Sequence, residues 1–154
     1  MSRVQLALRV SDLEGSIAFY RSLFGVEPTK RRPGYANFAI TEPPLKLVLL
    51  EGAGDEPTRL DHLGVEVETP AEVAAATARL AADGLPTLTE ENTACCYAVQ
   101  DKVWVTGPGN EPWEVYTVKA DAPEATTIHG IRQPDTSECI CGTPSTNAGE
   151  QLPA

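Results

Sequence analysis

The feature that most constrains the fold is a repeated order of patterns: strand, capped helix and further strands occur twice within 154 residues. In the first copy Val4 to Val10 alternates as a strand does, and Ser11-Asp12-Leu13-Glu14 reads as a capping box that opens a helix. Its apolar stripe, Leu13, Ile17, Tyr20 and Phe24, forms one face of an amphipathic helix that Gly25 closes. Residues 34–40 and 45–50 follow as strands, and 51–59, with Gly52, Gly54 and Pro57, as a linker.

The order then restarts. Leu60 to Val67 is a strand, and Thr69-Pro70-Ala71-Glu72 is a second capping box with Pro at the first helical position. This helix runs through Leu80 to a stop at Asp83-Gly84, and strands are expected at 86–90, 97–105 and 112–118. Ser11 and Thr69 stand 58 residues apart (69 − 11) and Gln5 and His62 57 apart (62 − 5). One helix on one sheet layer buries little, so the copies are expected side by side. The predicted fold is α+β: two βαβββ modules, about 3–52 and 60–118, forming one curved mixed sheet with a concave pocket in a single domain, 1–118. The tail, 119–154, has no aromatic residue and carries Pro123, Pro134, Pro144 and Pro153, which predicts a loosely ordered segment.

Cys95 and Cys96 are adjacent in an otherwise thiol-free body of the chain. Neighbours on a flat strand point to opposite faces, so the pair can grip one atom only where the backbone turns; a loop or bent strand end is expected there. Two such thiols suit Zn(II), Cd(II), Cu(I) or trivalent arsenic. A vicinal disulfide is a second option, and one small buried hydrophobe beside an incidental thiol is a third. Tyr97, Lys102 and Trp104 flank the pair: Lys102 would favour thiolate, opposed by Glu90 and Glu91, while Val103 and Trp104 read as hairpin core. Lys30-Arg31-Arg32 reads as a solvated turn.

Net charge is −10, from 22 acidic and 12 basic residues, which opposes a nucleic-acid partner. No apolar run approaches a membrane span or a secretory signal, and four cysteines without such a signal suggest reduced thiols; the chain is read as cytoplasmic, with no membrane partner.

Three motifs carry a resemblance. Leu8-Arg9-Val10-Ser11-Asp12-Leu13 with Ile17-Ala18-Phe19-Tyr20, then Leu60-Asp61-His62-Leu63-Gly64-Val65, then Gly109-Asn110-Glu111-Pro112-Trp113-Glu114-Val115-Tyr116 are similar to the vicinal-oxygen-chelate superfamily of glyoxalases and extradiol dioxygenases. The resemblance implies a divalent metal on the concave face, held by Gln5, His62 and Glu114. Gln5 departs from the His usual in that family, and an amide oxygen is the weaker donor. The matching place in the last strand of module one falls at Leu47 to Leu49, which cannot ligate, so the implied site has three protein ligands and open positions, as at Fe(II) oxygenase centres. The alternative for His62 is a hydrogen-bonded core histidine.

Within that superfamily, the run from Cys95 to Val105 resembles the organoarsenical carbon–arsenic lyases and the cadmium-induced proteins grouped with them. This implies an Fe(II)-dependent, dioxygen-consuming lyase for arsenic detoxification, releasing arsenite from a methyl- or aryl-arsenic(III) substrate held by Cys95 and Cys96. Two other readings stay open: a cadmium- or arsenite-sequestering protein without turnover, and a glyoxalase-like or ring-cleaving enzyme. A homodimer is also an option. Cys139 and Cys141 in the tail are either a feeder of soft ions or two exposed thiols.

Overall fold

Capping and alternation set most element boundaries in the structure, a computed structural model that describes residues 1–95 and 97–122. The elements are β1 (Arg3–Val10), α1 (Leu13–Phe24), β2 (Lys30–Arg32), β3 (Tyr35–Ile40), β4 (Leu45–Glu51), β5 (Arg59–Glu66), α2 (Pro70–Ala82), β6 (Thr87–Cys95), β7 (Ala98–Thr106) and β8 (Pro112–Asp121). They build one eight-stranded mixed sheet in the order β2-β3-β4-β1-β5-β8-β7-β6. In each half the first strand pairs parallel with the last, β1 with β4 and β5 with β8. The halves meet along the antiparallel seam of β1 and β5. The result is the expected α+β fold of two βαβββ units in one curled sheet.

Period-two alternation decides what faces each way. Leu6, Leu8 and Val10 of β1, with Leu47 and Leu49 of β4, pack against Leu13 and Ile17 of α1, and Tyr20 and Phe24 close the rim of that core. Val103 and Val115 do the same under Val73 and Ala76 of α2. The intervening residues, Gln5 and Ala7 among them, are left to the opposite, concave face.

Several local expectations need correction. The first helix is capped by Asp12, not Ser11: the Asp12 carboxylate accepts from the Gly15 backbone N–H at 2.9 Å. Asp12 and Thr69 are then 57 apart (69 − 12), the same offset as Gln5 and His62. Thr69 and Glu72 form the full reciprocal capping box, with Pro70 opening the helix. Lys30–Arg32 is not a solvated turn but the edge strand β2, paired with β3. Three charged residues mask its period, and basic side chains are what an exposed edge tolerates. β6 runs on to Cys95, and β8 continues to Asp121, past the expected end at 118. Cys96 and residues 123–154, with Cys139 and Cys141, lie outside the described residues. No helix among the described residues is long and apolar enough to cross a membrane.

Candidate functional site

Three polar side chains from three adjacent central strands converge on the concave face: Gln5 of β1, His62 of β5 and Glu114 of β8. His62 is 1% exposed and Glu114 2%. Gln5 Nε2 donates to Glu114 Oε1 at 2.8 Å and lies 3.0 Å from His62 Nε2, while His62 Nε2 and Glu114 Oε1 are 3.4 Å apart. Gly64 makes the convergence sterically feasible. It sits in register with Gln5 on one side and Glu114 on the other. A Cβ there would stand 3.1 Å from Glu114 Cγ and 3.3 Å from the Gln5 side chain.

Each member is held from behind. His62 Nδ1 lies 2.7 Å from Asp61 Oδ1, and Arg9 clamps the other Asp61 oxygen through Nε at 3.0 Å and a terminal nitrogen at 2.8 Å. Adjacent residues of a regular strand cannot share a face. Here a bulge in β5 opposite Ala7 and Leu8 leaves Asp61 as an extra residue, free to turn alongside His62. Lys102 of β7 has no solvent exposure, and its ammonium lies 2.8 Å from Glu114 Oε2 and 5.2 Å from the centre of the Trp104 ring. Trp104 meets the His62 ring edge-on at 5.5 Å, so it walls the site as well as filling the hairpin core. Behind Gln5, the Tyr116 hydroxyl contacts Gln5 Oε1 and lies 2.9 Å from Glu66 Oε2. Glu66 is paired in turn with Lys46 at 2.9 Å and Arg3 at 3.0 Å.

These surroundings move the protonation equilibria. Burial works against a charged His62, but the hydrogen bond to Asp61 and the neighbouring Glu114 outweigh it and raise its pKa to about 9. Burial also works against an ionised Glu114, yet Lys102 and His62 hold it far below the ordinary carboxylate range. Glu66 follows the same pattern: burial pushes its carboxyl up, and Lys46 more than offsets this.

A small cavity of about 60 Å³ opens beside the cluster, lined by Gln5, His62 and Glu114 with Val48, Ala98 and Gln100. Val48 stands where the symmetry of the two halves would put a counterpart of Glu114, which gives the apolar position expected near Leu47 to Leu49. β6 turns into β7 beside this cavity, which gives the bend expected at Cys95. Cys95, 3% exposed, ends β6 and pairs with Ala98, and Tyr97 between them has a left-handed backbone (φ 62°). Tyr97 is tied to the other half of the sheet, since Lys30 donates to its carbonyl at 3.1 Å and its ring meets Tyr35 at 5.2 Å. Gln100 Nε2 donates to the Cys95 carbonyl at 3.2 Å. Its Oε1 is the single buried side-chain polar atom without a partner among the described residues.

The donor set fits a divalent cation. A separation of 3.4 Å is what two ligands each about 2.1 Å from one ion adopt. A carboxylate on the far nitrogen of a histidine is the usual outer support of a ligating imidazole. No group of three or more His, Cys, Asp or Glu side chains suited to a metal occurs among the described residues, and the polar group beside His62 and Glu114 is the Gln5 amide. Sequence pattern alone assigns no role to Asp61, Glu66, Gln100 or Tyr116, which support the site. The alternation Gln100, Lys102, Trp104 was a usable signal, because a lysine in step with a tryptophan in a buried strand needs an anion.

Residues 3–115 match the Glyoxalase/Bleomycin resistance protein/Dioxygenase superfamily. The chain is 63% identical over its whole length to a trivalent organoarsenical cleaving enzyme of Thermomonospora curvata, covering 98% of that protein. It is 62% identical to the cadmium-induced protein CadI of Mycobacterium tuberculosis, across 90% of this chain and 89% of that one. Among solved structures, a Mn(II)-bound glyoxalase from Novosphingobium aromaticivorans superposes with a TM-score of 0.57 at 21% identity, covering 82% of this chain and 44% of that one. The two-module sheet, the motif matches and the full-length relative agree: the chain belongs to the glyoxalase/bleomycin resistance protein/dioxygenase superfamily.

Proposed function

We propose that the protein cleaves the carbon–arsenic bond of trivalent organoarsenicals with Fe(II) and dioxygen, Gln5, His62 and Glu114 being the ligands of the ion and Cys95 and Cys96 the thiolates that hold arsenic. The observation that carries this reading is the shared cavity. Ala98 and Gln100, which follow the thiol turn, line the same space as Gln5, His62 and Glu114, and Gln100 fastens the turn through the Cys95 carbonyl. The name of the 63% identical relative supports the substrate class.

Fe(II), when bound, supplies a centre with open positions that takes up and reduces dioxygen. The chain's own residues do the rest. When an ion displaces the proton on Nε2, Asp61 would keep the remaining His62 proton on Nδ1, so that the Nε2 lone pair faces the site. Lys102 compensates the buried Glu114 charge. Exchange of two arsenic-bound hydroxyls for two sulfurs fixes the arsenical with its carbon substituent as the remaining bond, replacing a bimolecular encounter by an oriented one. Gln100 Oε1 offers an acceptor to a hydroxyl departing from arsenic. For a methyl substrate the balance is one methylarsonous acid and one dioxygen giving one arsenous acid and one formaldehyde.

Incubation of the purified protein with Fe(II), a reductant, air and a trivalent methyl- or phenyl-arsenical should release arsenite. Retained arsenical binding without arsenite would favour the second reading, sequestration of soft ions, which the similarity to cadmium-induced proteins supports.

A further inference from the structure

The polar chain behind Gln5 contains one proton too few for the acceptors it meets. The Tyr116 hydroxyl faces Gln5 Oε1 on one side and Glu66 Oε2 on the other, and it has a single hydrogen to give. Glu66, paired with Lys46 and Arg3, is an ionised acceptor. One of the two contacts therefore sets a lone pair against a lone pair. On the other side of the amide, Gln5 Nε2 donates to Glu114 Oε1 and stands 3.0 Å from His62 Nε2, in the place a cation would take between those two atoms. An amide nitrogen has no lone pair to offer a metal, so in this orientation Gln5 cannot ligate.

With a cation between His62 and Glu114, a half-turn about the Gln5 Cγ–Cδ bond resolves both conflicts. Oε1 then faces His62 and Glu114, Nε2 donates to the Tyr116 oxygen, and Tyr116 gives its one hydrogen to Glu66. The donors run in a single direction, Gln5 to Tyr116 to Glu66. We propose that Tyr116, oriented by Glu66, is the positioning residue that turns the Gln5 amide oxygen toward the metal, so that ion binding is coupled to reversal of this amide. The proposal rests on Gln5 being a ligand, and it gives the amide an outer support like the one Asp61 gives His62.

The test is a cycle of Mn(II) affinities, read from the signal of free Mn(II) in electron paramagnetic resonance; Mn(II) favours oxygen donors over thiolates and reports this site rather than the cysteines. Tyr116→Phe should weaken Mn(II) binding about tenfold or more, the usual scale for an outer-sphere partner of a ligand. In a Gln5→Glu background the head group is symmetric and has no orientation to set, so the same Tyr116→Phe change should cost less than about twofold. Glu66→Gln supplies a second variant. Its amide can donate to Tyr116 and send the tyrosine proton back to Gln5 Oε1, holding the amide the wrong way round, and it should reproduce both results. Equal losses in the two backgrounds, or no loss in the first, would overturn the positioning role while leaving Gln5 a ligand. Unchanged Mn(II) affinity in Gln5→Ala would instead remove Gln5 from the ligand set, a separate failure.

Discussion

At the residue scale the site is a set of buried charges that make sense only together. Lys102 and Glu114 would each be costly inside a sheet, and each is satisfied by the other. His62 is the member whose state answers to pH. Its ordinary value of 6.5 is raised to about 9, so the folded protein holds this proton more tightly than the unfolded chain does. The stability contributed is fully present below pH 6.5 and is lost as pH rises through 9, in all about 3 kcal/mol. Thermal unfolding of the metal-free protein should accordingly shift to lower temperature between these limits. A melting temperature that holds or rises over that interval would contradict the assigned contacts of His62 with Asp61 and Glu114.

At the element scale, the three central strands are spaced by one glycine and tuned by one bulge. Gly64→Ala would place a methyl against Glu114 and Gln5 without touching either helix. The variant is expected to keep its fold and lose about tenfold or more in Mn(II) affinity, as when the supports of a ligand are disturbed. Wild-type affinity, measured alongside circular dichroism, would mean that the two side chains do not need this close approach. The same strands show what was legible beforehand. Gln5, His62 and Glu114 could be placed because alternation and motif matches put each in a strand, and the Cys95 turn because two adjacent thiols demand a bend. Asp61 could not, since period two sends it to the opposite face from His62 and only the bulge reverses that. β2 escaped for a similar reason: three charged residues carry no apolar period, and pairing with β3 is a long-range fact.

At the scale of the whole molecule, two similar halves create one unequal pocket. Their offset of 57 residues puts Gln5 and His62 at equivalent positions on the two sides of the seam, but Val48 stands in the place corresponding to Glu114, so that position is apolar. Tyr97 of the second half is anchored to the first through Lys30 and Tyr35. The proposed chemistry requires thiols and metal ligands to act on one bound arsenical. Single-turnover arsenite release from the Fe(II)-loaded protein tests it, with Cys95→Ser, Cys96→Ser and the double variant compared to wild type. If two sulfurs must hold arsenic at once, each single change should cost nearly as much as both together, by orders of magnitude in rate. Near-normal release from either single variant would contradict the claim and leave the cysteines a structural or sequestering role.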